Sequence, residues 1–249
     1  SYEMLKKLSN IFRSNPSRVK TKPHMLKSGQ HNLSSKKISS GAIKVVEQLQ
    51  LSGYESYLVG GCIRDLMMGI KPKDFDVATN ATPEQAKQLF HRSRIIGRRF
   101  QIVHVRAGSE IIEVTTFRAQ HTGVKNQPGK SQHSSKGMLL RDNIFGSVGE
   151  DAIRRDFTMN ALYYCPQNNN IFDYTDGLSD INNRLIRIIG NASERYREDR
   201  VRMLRAVRFS AKLGFSIEKG SSAAIHKLRL LLADIPPARL FDEVLKLFM

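Results

Sequence analysis

Cysteine is nearly absent from this chain. Its 249 residues include two, Cys62 and Cys165, too far apart and too isolated from other metal-binding side chains to form a zinc site or a disulfide framework. Both read as reduced thiols, as expected of a cytoplasmic protein. Long apolar runs are missing too. No stretch approaches the roughly 20 residues that a membrane helix needs, and the basic N-terminus lacks the apolar core of a secretory signal. Stable membrane insertion is therefore not expected. The third shortage is of acid: 23 Asp and Glu stand against 40 Lys and Arg, a net charge of +17. Solubility alone needs no such surplus, and it favours a polyanionic partner, nucleic acid before membrane. What remains is ordinary. A hydrophobic content of 40% and a charged content of 25% suit a globular protein of one large or two small domains.

The stretch from Leu58 to Val77 carries the chemistry. An apolar run ends in Gly60-Gly61, Arg64-Asp65 follows, and after a loop comes Asp74-Phe75-Asp76 in a second β-like run over Asp74–Ala78. Alternation along a strand would put Asp74 and Asp76 on one face and Phe75 and Val77 on the other. Two carboxylates so close repel each other unless a cation lies between them, and Mg²⁺ takes such oxygens together with substrate phosphates. Glycines let backbone N–H groups approach an anion, and an arginine near a helix N-terminus offers a charged fork to phosphate. The string reads as a metal–triphosphate site. Alone, Asp-x-Asp is more often a solvated turn.

Elsewhere the coarse pattern is clear. Residues 1–40 hold nine Lys or Arg against Glu3 alone and read as a mobile basic arm. A helix capped by Ser40 should run to Leu51, and Thr82-Pro83 opens another that ends at Phe90. Residues 101–106 and 110–118 alternate about Ala107-Gly108-Ser109 and predict a hairpin. On its returning strand Ile111, Glu113, Thr115 and Phe117 share a face. Glu113 can then join Asp74 and Asp76 as a third carboxylate, or face solvent as an edge residue. Residues 120–137, with Gly, Pro and three lysines but no acid, predict a flexible positive loop. Glu198–Phe209 reads as one helix with Leu204, Val207 and Ala211 as its apolar stripe, and with Asp199 and Arg202 together on another face. Such spacing is commonly a surface ion pair. A break at Pro236-Pro237 precedes an amphipathic helix, Ala238–Phe248, whose apolar positions Leu240, Val244, Leu245 and Phe248 lack a partner. The expectation is that the chain was cut within this helical part.

Three motifs share one likeness. Leu58-Val59-Gly60-Gly61 through Asp76, Arg154-Arg155-Asp156-Phe157-Thr158 with Asn160-Ala161, and Glu198-Asp199 with Arg202 resemble the signatures of the class II nucleotidyltransferases, the poly(A) polymerases and CCA-adding enzymes. Gly97-Arg98-Arg99-Phe100 is similar to a short signature of the bacterial poly(A) polymerases. Arg200 stands where those enzymes have proline.

The resemblance implies an α+β fold: a nucleotidyltransferase head with a mixed β-sheet flanked by helices over residues 41–190, then an all-helical neck over 191–249, with further C-terminal helical domains absent. It implies template-independent transfer of AMP from ATP to RNA 3′ ends by a two-metal mechanism, with Mg²⁺ or Mn²⁺ held by Asp74, Asp76 and Glu113. Asp156 would join Asp74 and Asp76 as a catalytic residue. Gly60, Gly61, Arg64, Asp65, Arg155, Asp199, Arg202 and Arg205 would bind the nucleotide, Arg155 and Asp156 at ribose and phosphates, with Asn160 a weaker candidate. Asp199 and Arg202 would read the base edge. The implied partners are ATP and RNA 3′ ends, for a monomer. A CCA-adding enzyme and a non-catalytic RNA-binding module are the alternatives.

Overall fold

A computed structural model describes residues 20, 22–98, 100–119 and 145–248. Arg99, half of the expected basic arm and the loop over 120–137 lie outside them. The chain forms two compact units that interleave, rather than meeting at one boundary near residue 190. One holds residues 25–154 and 163–172, and the other holds 155–162, 173–249 and the residues up to 24.

The first unit is built on an eight-stranded sheet. Its strands are β1 (His24–Leu26), β2 (Ser56–Val59), β3 (Asp76–Thr79), β4 (Ser93–Ile96), β5 (Ile102–Ala107), β6 (Glu110–Thr116), β7 (Leu162–Cys165) and β8 (Asn170–Asp173). The order across the sheet is β1-β8-β7-β2-β3-β6-β5-β4. β2 runs antiparallel to both β3 and β7, while β3 and β6 are parallel, so the sheet is mixed, as expected. The predicted hairpin is β5–β6. β4 was not legible in the sequence, and β3 begins at Asp76, two residues later than expected.

Helix α1 (Ser40–Leu51) covers one face of this sheet through Ala42, Val45, Val46 and Leu49. Its cap is Ser39, whose hydroxyl accepts from the Ala42 N–H, one residue before the serine expected. The short α2 (Gly61–Met67) leads out of β2. α3 (Pro83–Leu89) opens on a capping box in which Thr82 and Gln85 satisfy each other's backbone N–H. α4 (Val148–Arg154) completes the helices of this unit among the described residues. The expected mobile arm does not extend to residue 40. β1 belongs to the sheet, and Leu33 and Ile38 are buried at 4% and 6% exposure, so apolar burial offsets the cost of ordering this basic stretch.

The second unit is mainly helical: α5 (Gly177–Asn182), α6 (Ala192–Glu198), α7 (Val201–Leu213), α8 (Lys219–Leu228) and α9 (Pro237–Phe248). A short parallel pair, β9 (Leu185–Ile186) with β10 (Ser216–Ile217), interrupts them, so the neck is not all-helical. The helix expected over 198–209 is two. Asp199 ends α6 in an extended conformation, and α7 starts after Arg200. The apolar side of α7 is Val201, Met203, Ala206 and Phe209, whose ring meets Phe157 edge-on at 5.9 Å, whereas Val207 of the expected stripe is 53% exposed. Along α9, Phe241 and Phe248 are exposed and Glu243 is buried, the reverse of what the residue types alone suggest.

Candidate active site

The carboxylate site lies at one end of the central strands of the first unit. Register places Val59 of β2 directly opposite Asp76, and Asp76 directly opposite Glu113 of β6. The Gly60-Gly61 turn leaves β2 at Val59, so the phosphate-loop candidate and the carboxylates share that end of the sheet. Gly60 has φ of 85° and ψ of −144°, a region that only glycine enters at low cost. Asp74 is exposed on the loop two residues before Asp76, and Phe75 between them is buried. That division of faces follows the expected alternation, although Asp74 stands outside the strand.

Arg64 is buried at 7% exposure, and its guanidinium folds back over Gly61 toward the start of α2. Its Nε and Nη2 donate to one oxygen of Asp65 at 2.9 and 2.7 Å. The positive charge is therefore held in place by its neighbour rather than extended into solvent. Cys62 is buried close to Asp76, and its thiol donates to the Val59 carbonyl at 3.2 Å. Burial pushes that thiol up to about 12, and the charge of Asp76 pushes in the same direction.

Glu113 shares the open face of the sheet with Asp76, and its Oε1 lies 3.3 Å from His104 Nε2 on β5. Among the described residues, no three acidic, His or Cys side chains converge on one point. The donor set nevertheless suits a hard divalent cation, because Asp74, Asp76 and Glu113 all offer carboxylate oxygens. Such ions are commonly held by one or two carboxylates, with water and substrate phosphates completing the shell.

In the second unit, Asp156 is the hub. One oxygen accepts from the Phe157 N–H at 2.7 Å and from Asn160 at 3.3 Å, while the other accepts from Arg205 Nε at 2.7 Å. Burial alone would raise its carboxyl, but the charge of Arg205 and these hydrogen bonds hold it below the ordinary carboxylate value. The Arg155 carbonyl accepts from Arg195 at 2.8 Å. Structure thus brings Arg205, from the helix that follows the third motif, to Asp156 and Asn160 of the second.

Asp199 and Arg202 are not paired with each other. Asp199 receives a two-pronged contact from Arg239 of α9 at 2.9 Å on each oxygen, which keeps its carboxyl below the usual range despite partial burial. Arg202 donates to the Arg195 carbonyl at 2.8 Å and to Glu198 at 2.6 Å. Spacing could not show Arg239, 40 residues away. Nor did it show Asp151, a fully buried carboxylate that accepts from Arg154, the Arg118 N–H and Tyr163 and ties α4 to the sheet.

Residues 56–187 match the family described as the poly(A) polymerase head domain, and residues 214–249 match one described as a probable RNA and SrmB-binding site of polymerase A. The chain is similar to poly(A) polymerase I of Salmonella typhimurium, 55% identical over 228 residues, covering 91% of this chain and 49% of that protein. It is 38% identical over 200 residues to a CCA-adding enzyme of Staphylococcus aureus, covering 80% of this chain and 46% of that one. The solved CCA-adding enzyme of Bacillus stearothermophilus in complex with CTP superposes with a TM-score of 0.72 at 34% identity, over 84% of this chain and 49% of that one. The chain spans about half the length of the curated relatives it matches.

Proposed function

Because the chain belongs to the poly(A) polymerase head-domain family, we propose that it forms the catalytic part of a template-independent polynucleotide adenylyltransferase, transferring AMP from ATP to RNA 3′ ends. The supporting observation is the register that sets Asp76 between the strand leading into Gly60-Gly61 and the strand carrying Glu113. A triphosphate needs backbone donors and a carboxylate-held metal within one nucleotide's length, and the turn and the carboxylates at this end of the sheet support that reading.

Asp74 and Asp76 would hold Mg²⁺, or Mn²⁺ in its place, with Glu113 as a third carboxylate. A metal bound there would lower the pKa of the RNA 3′-hydroxyl and would offset charge on the triphosphate and the departing pyrophosphate. The backbone N–H groups after Gly60 take phosphate oxygens, and the Arg64–Asp65 pair fixes the shape of that turn. In the second unit, Arg155 and Asp156 serve ribose and phosphates. Arg205 holds the Asp156 carboxylate ionised, so that it remains an acceptor for ribose hydroxyls. Asp199 and Arg202 read the base edge. The Asp199–Arg239 contact is half-exposed, and such pairs contribute about 1 kcal/mol or less, so a base that needs the Asp199 oxygens displaces Arg239 at little cost.

The test is the complete protein with Asp74→Ala and Asp76→Ala together. Extension of RNA with ATP should fall by about a thousandfold or more, since most of the charge stabilisation is gone. Extension at the parent rate would overturn the assignment. A second reading, a CCA-adding enzyme, draws on the Staphylococcus aureus relative and the CTP-bound structure. Offering each nucleotide singly separates the two, because a poly(A) polymerase extends with ATP and leaves CTP unused.

A further inference from the structure

Beyond the carboxylates, the open face of the same sheet carries a second block of charge. Arg94 of β4 lies directly opposite His104 of β5, and His104 lies directly opposite Glu113 of β6. Asp76, Glu113, His104 and Arg94 thus form one row across four adjacent strands. The pairing continues past β4: the Arg106 N–H donates to the Arg92 carbonyl at 2.8 Å, so Arg92 and Arg106 also stand opposite each other. Alternation puts Arg92 and Arg94 on the same side of β4, and His104 and Arg106 on the same side of β5. Together they line a cleft of about 360 Å³ whose wall includes Ile111.

Like charges placed directly across a sheet destabilise it. Among the described residues, no carboxylate forms an ion pair with Arg92, Arg94 or Arg106. Basic residues on an edge strand discourage edge-to-edge pairing, and β4 is an edge. That purpose would account for Arg92 and Arg94, but not for the Arg106 guanidinium on β5, one strand inside, whereas His104 there already meets Glu113. An anion lying over the block removes the repulsion. Arginine suits phosphate in particular, since its planar fork can meet two oxygens at once. Exposed Ile111 (55%) and Ile96 (43%) on this face offer apolar contact to ribose and base.

We infer that Arg92, Arg94 and Arg106 form a phosphate track for the primer RNA, a few nucleotides upstream of the 3′ end that reaches Asp76. The inference rests on the adenylyltransferase reading given above. Three strand spacings separate Asp76 from Arg94, about 14 Å, a reach that covers only the last few linkages. The track would hold any sequence, because it meets backbone and not base edges.

The experiment uses the complete protein and a labelled oligoadenylate, with binding measured over a range of salt in the absence of metal and ATP. Arg92→Gln, Arg94→Gln and Arg106→Gln are combined; all three side chains are exposed. A charge-matched control combines Lys36→Gln, Lys37→Gln and Lys44→Gln from a separate cleft at the start of α1. The arginine variant should bind at least about tenfold more weakly near 0.1 M salt, and its log–log salt slope should shrink by about 2. Its KM for ATP should stay unchanged. Neutralising single linkages as methylphosphonates should weaken parent binding near the 3′ end and leave the variant indifferent to the same change. Equal losses in both triple variants would mean bulk charge only and would overturn the track, as would an unchanged slope in the arginine variant. A parent protein that binds the oligomer but does not extend it with ATP would instead overturn the adenylyltransferase reading.

Discussion

Cys62 shows how a single side chain reports on the site beside it. Its thiol is enclosed, hydrogen-bonded to Val59 and close to the Asp76 charge, so it is not a nucleophile at neutral pH. Cys165 is buried as well. The native protein should therefore titrate no thiol with a disulfide reagent, and two after denaturation; fast reaction of either in the native state would contradict this packing. Asp156 makes a second residue-level case. Its folded-state carboxyl lies below the ordinary value of 3.8, so its contribution to stability is complete above that pH and is lost as pH falls through the lower, folded value. Asp156→Ala, which leaves Arg205 only its 3.6 Å contact with Glu243, should cost about 2 kcal/mol in urea unfolding at pH 7, with a smaller difference from the parent in strong acid. A constant difference across that range would remove the charge from the explanation.

At the scale of elements, much of the first unit could be read in advance, because its signals are local. Thr82-Pro83 with Gln85 predicts a helix start through two specific hydrogen bonds, and the turn at Ala107-Gly108-Ser109 predicts the hairpin. β4 escaped because four residues, Ser-Arg-Ile-Ile, are too few to show a period. The break between α6 and α7 escaped for the opposite reason. Glu198–Phe209 has good helical composition throughout, and the extended Asp199 is stabilised by Arg239, which is remote in sequence. Of the site, the string from Gly60 to Asp76 was legible, while the partners that hold Asp199 and Asp156 were not. Gly97 shows what a four-residue motif means physically. It joins β4 to β5 at φ of 94°, where an added Cβ would lie 2.2 Å from the Phe100 carbonyl oxygen. Gly97→Ala should cost about 3 kcal/mol through strain and displacement of that turn, measurable by thermal unfolding. The buried Arg208–Glu243 pair, 2.7 Å apart, ties α7 to α9 in the same manner. Glu243→Ala should cost about 3–5 kcal/mol, because a desolvated guanidinium is left without its partner.

For the whole molecule, the order of segments matters more than their number. The sheet uses residues 25–154 and then takes β7 and β8 from beyond residue 162, after the chain has entered the other unit and returned. Until β7 arrives, β2 has a bare edge made of Leu58 and Val59, both fully buried in the finished protein. A chain emerging from the ribosome cannot close this sheet until about seventeen further residues after Arg155 have been made, at a few residues per second or faster. During that interval an apolar, unpaired edge stands open to any other strand. Nascent chains stalled between Arg155 and Phe172 should consequently associate with one another or with chaperones, and those released after β8 is complete should not.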